Sequence, residues 1–294
     1  MDRMSPETYR DASAESAIAD SEESGQYIAS IDPSGALVRP VITPRFAPSC
    51  TPEALQGLGE LAKRTDWAVQ THISENHGEI ALVKELFPEA SSYADVYDRA
   101  GLLGQKTILA HAVHLTDDEV KLIGERGTHV AHCPASNTCL TSGAAPVREM
   151  LDAGLSVGLG TDMSGGYSPS ILEMVRQALG VSRHVAMGKG EKHRLSVEEA
   201  LWLGTRGGAK VVGLEKKVGA FEVGREWDAQ MIVLEHVGED EDDHEVAAPV
   251  DVFEWQKENW DDLVQTWVYT GDDRNVAAVW VKGRLVHQTK LFAS

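Results

Sequence analysis

Residues 67–75 run Trp-Ala-Val-Gln-Thr-His-Ile-Ser-Glu, and residues 76–87 continue as NHGEIALVKELF up to Pro88. The first five are β-prone, and 76–87 reads as a helix that the proline ends. His72 therefore leaves a strand with Glu75 three residues later, just ahead of a helix. In a parallel α/β architecture that edge is where ligand sites are built. A histidine there can hold a metal, and a nearby glutamate can move protons. Alone, His-x-x-Glu is a weak signal that an ordinary turn explains better. Other strand ends that deliver histidine or aspartate along the chain give it weight.

Downstream, the strand-like 106–110 (KTILA) lands on His111, 128–132 (THVAH) runs into Cys133-Pro134, and 155–160 (LSVGLG) lands on Thr161-Asp162. Upstream, 36–43 (ALVRPVIT) runs into Pro44-Arg45-Phe46, with Pro40 arguing against a central place in a sheet. Helix starts lie between these strands. Thr51-Pro52-Glu53 offers an N-cap, a first-turn proline and an early carboxylate, and Thr116-x-x-Glu119 and Ser196-x-x-Glu199 are capping boxes. Residues 6–30 read as a polar helix, a short helix ends near Gly154, 169–187 forms another, and the Ser196 helix runs to about Lys210. Such alternation predicts a mostly parallel sheet with right-handed crossovers. His72, His111, His132 and Asp162 would then share one rim. After Gly219 the texture changes: 221–233 reads as a strand pair, and 276–281 and 284–287 as a hairpin turning at Lys282-Gly283. These form a small antiparallel β unit beside the main domain.

Composition narrows the function. A formal charge of −19 over 294 residues argues against nucleic acid or an anionic membrane as partner. Part of that charge is the acidic run 239–245 (EDEDDHE), read as a solvated loop. Three cysteines, Cys50, Cys133 and Cys139, give no disulfide framework and suit a reducing compartment. No apolar run approaches the roughly 20 residues of a membrane span, and the polar, acidic N-terminus does not read as a signal peptide. A cytoplasmic protein is expected.

Separate strand ends that deliver histidine and aspartate suit a zinc centre of nitrogen and carboxylate ligands with one position open for water. Metal lowers that water's pKa toward about 7, and Glu75 suits the proton shuttle. His132 either lines the site or, the favoured reading, braces the Cys133-Pro134 turn through a backbone hydrogen bond. His114 reads as a loop residue and His77 as exposed in a first helical turn. Arg45 is equally a structural ion-pair partner or a substrate contact. Gly158, Gly160, Gly165 and Gly166 lack the residues of a phosphate loop and read as a turn at the rim. No Gly-x-Ser-x-Gly elbow is present, and the cysteines lack an activating context.

With these residues in hand, the sequence resembles the guanine deaminases of the amidohydrolase superfamily. The matching segments are Thr43-Pro-Arg-Phe46, Thr71-His-Ile-Ser-Glu75, Ala110-His111, Ala131-His-Cys-Pro-Ala-Ser-Asn137, Gly160-Thr-Asp-Met-Ser-Gly-Gly-Tyr167 and Tyr269-Thr-Gly-Asp-Asp-Arg-Asn275. They are collinear and span nearly the whole chain. The resemblance implies an α/β fold, a metal-dependent (β/α)8 barrel of TIM type with a β-sandwich beside it, hydrolysing guanine to xanthine and ammonia. It implies that His72 binds zinc, that Glu75 shuttles protons and contacts the purine, and that His111 sits at the reactive water and is sometimes counted as a ligand. Asp162 would bind the metal and act as base, and Arg45 and Phe46 would hold the base. Iron or manganese suits such ligands comparably.

The family's first barrel strand carries a His-x-His pair, and this sequence contains none. The chain is therefore expected to cover about strands four to eight as a C-terminal fragment. Residues 1–218 would form the partial barrel, and 219–294 the small β-sandwich strands with a final hairpin. The intact protein is expected to be a homodimer. The alternatives are a non-catalytic truncated product and a relative acting on another heterocycle.

Overall fold

In a computed structural model describing residues 1–234 and 250–289, the strand–helix alternation closes into one parallel sheet. Its strands are β1 (Val41–Ile42), β2 (Ala68–Ile73), β3 (Thr107–His111), β4 (His129–His132) and β5 (Ser156–Leu159). They lie side by side in chain order, every pair parallel. The acidic run 239–245 lies outside the described residues. The helices are α1 (Ala14–Ile31), α2 (Pro52–Thr65), α3 (His77–Leu86), α4 (Tyr93–Arg99), α5 (Asp117–Glu125), α6 (Pro134–Cys139), α7 (Val147–Asp152), α8 (Ile171–Lys189), α9 (Val197–Trp202), α10 (Gly208–Val211) and α11 (Trp260–Thr270).

The cross-strand register sorts side chains between two faces. Thr71, Leu109, Val130 and Val157 stand in one row, all buried under the helices. Leu55, Leu58 and Leu61 of α2, Ile123 of α5, Met150 of α7 and Val175 and Leu179 of α8 share their hydrophobic core. The next row, His72, Ala110, Ala131 and Gly158, belongs to the opposite face. Beside His72 this row is made of small residues.

Local chemistry fixes where helices begin. Thr51 Oγ1 accepts the Ala54 N–H, Asn76 Oδ1 accepts that of Glu79, and both Thr116/Glu119 and Ser196/Glu199 form capping boxes. Three readings change. The strand expected over 36–43 shrinks to Val41–Ile42 at the sheet edge, where Pro40 is tolerated. The N-terminal helix begins at Ala14, capped by Ser13, not at Pro6. The strand pair expected over 221–233 is a single strand, β6 (Ala229–Ile232), because 221–228 is spent in turns. It joins β7 (Val276–Val281) and β8 (Arg284–Gln288) in an antiparallel sheet ordered β6-β7-β8. The helices α4 and α11 have no counterpart in the sequence reading.

The far edge of the sheet is covered. The helix opened by Ser196 widens into a π turn over Leu203–Gly207 before α10. A Cβ on Gly207 would lie 2.8 Å from the Val157 carbonyl oxygen, and one on Gly158 would lie 2.9 Å from the Gly208 Cα. Only glycines allow this backbone-on-backbone approach, which shields the outer edge of β5 from pairing with another chain.

At the other end of the rim, Tyr97 of α4 is fully buried. Its hydroxyl donates to the His72 carbonyl at 2.7 Å and accepts the Ala47 N–H at 3.0 Å. The Thr71 hydroxyl lies 3.0 Å away. Burial pushes the phenol well above its usual pKa, so it stays neutral. The end of β2 is thereby pinned one residue from Ile73.

Candidate active site

Five residues at the C-terminal rim adopt left-handed backbone without being glycine: Arg45 after β1, Ser74 after β2, His111 ending β3 with Ala112 after it, and Asp162 after β5. Each such residue costs of order 1–3 kcal/mol and persists only where surrounding contacts over-determine it. They turn the chain sharply at the point where each strand reaches the rim.

His72 and His111 stack there with ring centroids 4.9 Å apart and planes 20° off parallel. His72 Nδ1 is bonded to the Arg45 carbonyl oxygen. A carbonyl only accepts, so Nδ1 carries the hydrogen and Nε2 keeps its lone pair. Burial, opposed by that hydrogen bond, lowers the His72 pKa below its usual value and favours the neutral ring. His111 repeats the arrangement: Nδ1 lies 2.9 Å from Asn137 Oδ1. Its Nε2 faces Glu75 Oε2 at 3.8 Å and Asp162 Oδ2 at 4.0 Å. Asp162 Oδ2 accepts a 2.6 Å hydrogen bond from Ser136 Oγ. Donor atoms of His72, His111 and Asp162 all lie within 4.8 Å of one another. Ligand atoms around a tetrahedral zinc stand roughly 3.4 Å apart at bonds of about 2.1 Å, so binding would draw these donors together. Two imidazole nitrogens and a carboxylate oxygen fit a borderline divalent cation.

Glu75 stands beside this cluster. Its Oε1 accepts from Ser142 Oγ at 3.1 Å, and its backbone N–H donates to Glu79 Oε2 at 2.9 Å. Glu79 is itself held by the Tyr93 hydroxyl at 2.6 Å. The exposed Arg45 guanidinium lies 5.4 Å over the Phe46 ring, whose edge meets His72 at 6.5 Å between centroids. Among the described residues Arg45 has no carboxylate partner, so the ion-pair reading finds no support. Gly165 is required by space: a Cβ there would sit 2.5 Å from Asp162 Oδ2 and 2.7 Å from Ser136 Oγ.

His132 departs from expectation. It is buried, but neither ring nitrogen has a hydrogen-bond partner, so it does not brace the Cys133-Pro134 turn. Burial, with His111 close by, holds its pKa at about 3. Unfolding returns it to about 6.5. Below pH 6.5 the unfolded chain binds a proton that the folded chain refuses, so this residue removes stability as pH falls from 6.5 toward 3. The slope reaches about 1.4 kcal/mol per pH unit. His132→Leu is expected to flatten the pH dependence of urea unfolding between pH 6.5 and 4.5 by about that much. An unchanged slope would contradict the assignment.

The sequence profile of the Amidohydrolase family matches residues 1–286. The chain belongs to the amidohydrolase family. Among amidohydrolases it is 49% identical over 287 residues to a probable guanine deaminase of Schizosaccharomyces pombe, covering 97% of this chain and 53% of that protein. It is 41% identical over 286 residues to the guanine deaminase of Dictyostelium discoideum, covering 97% of this chain and 60% of the relative. The chain thus spans between half and two thirds of the length of these two relatives. In structure it is similar to a guanine deaminase from C. acetobutylicum solved with guanine in its active site. The TM-score is 0.82 at 33% identity, covering 98% of this chain and 64% of the other.

The structure brings together His72, Glu75, His111 and Asp162, and sets Arg45 and Phe46 beside them. It keeps His77 exposed and His114 in a loop, but packs their rings together, tilted by 33° with centroids 4.0 Å apart. Sequence reasoning missed Ser136, Asn137 and Ser142, the hydrogen-bond partners of Asp162, His111 and Glu75. A weak signal was available: a run of small polar residues follows Cys133-Pro134 with no solvated-loop composition around it.

Proposed function

We propose that the protein carrying this amidohydrolase chain hydrolyses guanine to xanthine and ammonia. The observation that carries this reading is the convergence of His72, His111 and Asp162 within 4.8 Å, with Glu75 Oε2 3.8 Å from His111 Nε2. Similarity to guanine deaminases along nearly the whole chain supports the substrate. His72 and Asp162, with His111, would hold a divalent cation, zinc in the first instance, and that ion when bound supplies an acidified water at neutral pH. The chain's own residues do the remaining work. Asp162 takes a proton from the attacking water at its carboxylate, with His111 Nε2 4.0 Å away. Glu75 carries that water's second proton to the departing amino nitrogen as the carbon–nitrogen bond breaks behind the new carbon–oxygen bond, and Asp162 returns the first proton to the ring. Arg45 and Phe46 offer a cation and an aromatic face to the planar base, while His72, Glu75 and Asp162 also line its site.

Several wider readings go with this one. The five parallel strands are taken as the fourth to eighth of a (β/α)8 barrel spanning residues 1–218, with 219–294 adding the small β-sandwich strands. Further nitrogen ligands of the His-x-His type are not encoded in these 294 residues. Two buried free cysteines and one exposed one favour a reducing, cytoplasmic setting. Among the described residues no helix is long and apolar enough to cross a membrane. A homodimer is proposed for the whole protein.

The test is a purine and pyrimidine panel on the metal-loaded protein, read as product formation. Xanthine from guanine, faster than turnover of adenine or cytosine, is expected; preference for another heterocycle would replace the substrate assignment. In the same assay Arg45→Ala should raise KM by about 10- to 100-fold with kcat little changed, because it removes binding shared by ground and transition states. A fall confined to kcat would contradict that role.

A further inference from the structure

The chemistry proposed above leaves Ser142 unused, yet this residue is buried and its hydroxyl is aimed at the Glu75 carboxylate. We propose that Ser142 is a positioning residue for Glu75 and that His114 holds it there; the proposal rests on the reading of Glu75 as proton shuttle.

Glu75 follows the left-handed Ser74, and its own backbone N–H is taken by Glu79. Nothing in that local turn fixes the carboxylate, which is 17% exposed. The Ser142 hydroxyl supplies the missing constraint from a segment 67 residues away in sequence. Donation to Oε1 leaves Oε2 as the oxygen that faces His111 Nε2. Ser142 is fixed in turn. Its N–H donates to the Asn137 carbonyl at 2.8 Å, and its own carbonyl accepts from His114 Nε2 at 2.7 Å. The His114 backbone N–H donates to the Ser74 carbonyl at 3.1 Å, and its ring packs on His77 in the first turn of α3. His114 thus ties together the two segments that must agree for Glu75 to be held: the turn that carries it and the loop that orients it. Gly143 leaves room for this, since a Cβ there would lie 2.8 Å from His114 Cε1.

A hydrogen bond to a charged carboxylate, together with a displacement of the order of 1 Å, is worth about 10- to 100-fold in rate. The experiment compares Ser142→Ala and Ser142→Thr in the metal-loaded protein, with crystal structures of both and guanine turnover. Ser142→Ala is expected to let the Glu75 carboxylate leave its place beside His111 and to lower kcat about 10- to 100-fold at unchanged metal content. Ser142→Thr, which keeps an Oγ, is expected to restore both. A Glu75 carboxylate unmoved in Ser142→Ala, or a threonine variant as displaced and as slow as the alanine one, would overturn the proposal. Absence of guanine turnover in the unsubstituted protein would overturn the functional reading instead, while the carboxylate position would still decide the role of Ser142.

Discussion

Glu75→Gln is expected to lower kcat for guanine by at least about 10³-fold while metal content stays at the level of the unsubstituted protein. The substitution is isosteric, and its surroundings explain why it should be clean. The backbone N–H of Glu75 stays on Glu79, and the Ser142 hydroxyl can donate to an amide oxygen as it does to Oε1. The side chain is therefore held in place but can neither accept nor release a proton near neutral pH. General acid–base groups contribute about 10²–10⁴-fold, and a shuttle used in more than one transfer lies toward the upper end. Metal analysis alongside steady-state kinetics checks it. Metal lost with activity would make Glu75 a ligand; turnover within tenfold would remove it from the chemistry.

His72→Ala should act the other way, through the metal. Its Nε2 lone pair is presented by a ring locked in one tautomer by the Arg45 carbonyl, and burial already favours the neutral form. Little proton competition then opposes ligation at pH 7, so His72 contributes nearly its full donor strength. Changing a residue that only supports a metal ligand typically costs 10–100-fold in affinity, and removing a ligand costs more. Metal affinity is expected to fall by at least about 10²-fold, measured by competition with a chromophoric chelator. Unchanged metal affinity would exclude His72 as a ligand.

What was legible in the sequence is what local interactions determine. Thr51, Asn76, Thr116 and Ser196 cap helices through bonds to residues three positions on, and each start was readable. The strands that deliver His72, His111 and Asp162 were readable because each buries apolar residues in the core. The seven-residue α4 was not, since YADVYDR carries too short a pattern to separate from a loop. Nor was the loss of most of the 36–43 strand, which depends on its standing at the sheet edge beside β2. At the site, the donors were visible and their supports were not. Ser136 to Asp162 and Asn137 to His111 each join residues 26 apart, and Ser142 to Glu75 joins residues 67 apart. Spacing of that kind leaves no periodic trace. The left-handed turns at Arg45, Ser74, His111 and Asp162 were equally silent, because none of them is a glycine.

Three side chains from a seven-residue stretch, Ser136, Asn137 and Ser142, reach Asp162, His111 and Glu75, which arrive on three different strands. Grafting the acidic and histidine donors alone onto another parallel sheet would deliver the right atoms without their common jig. A transplant would have to carry 136–142 as one block, and paired substitutions inside it should show strong coupling where independent sites would simply add.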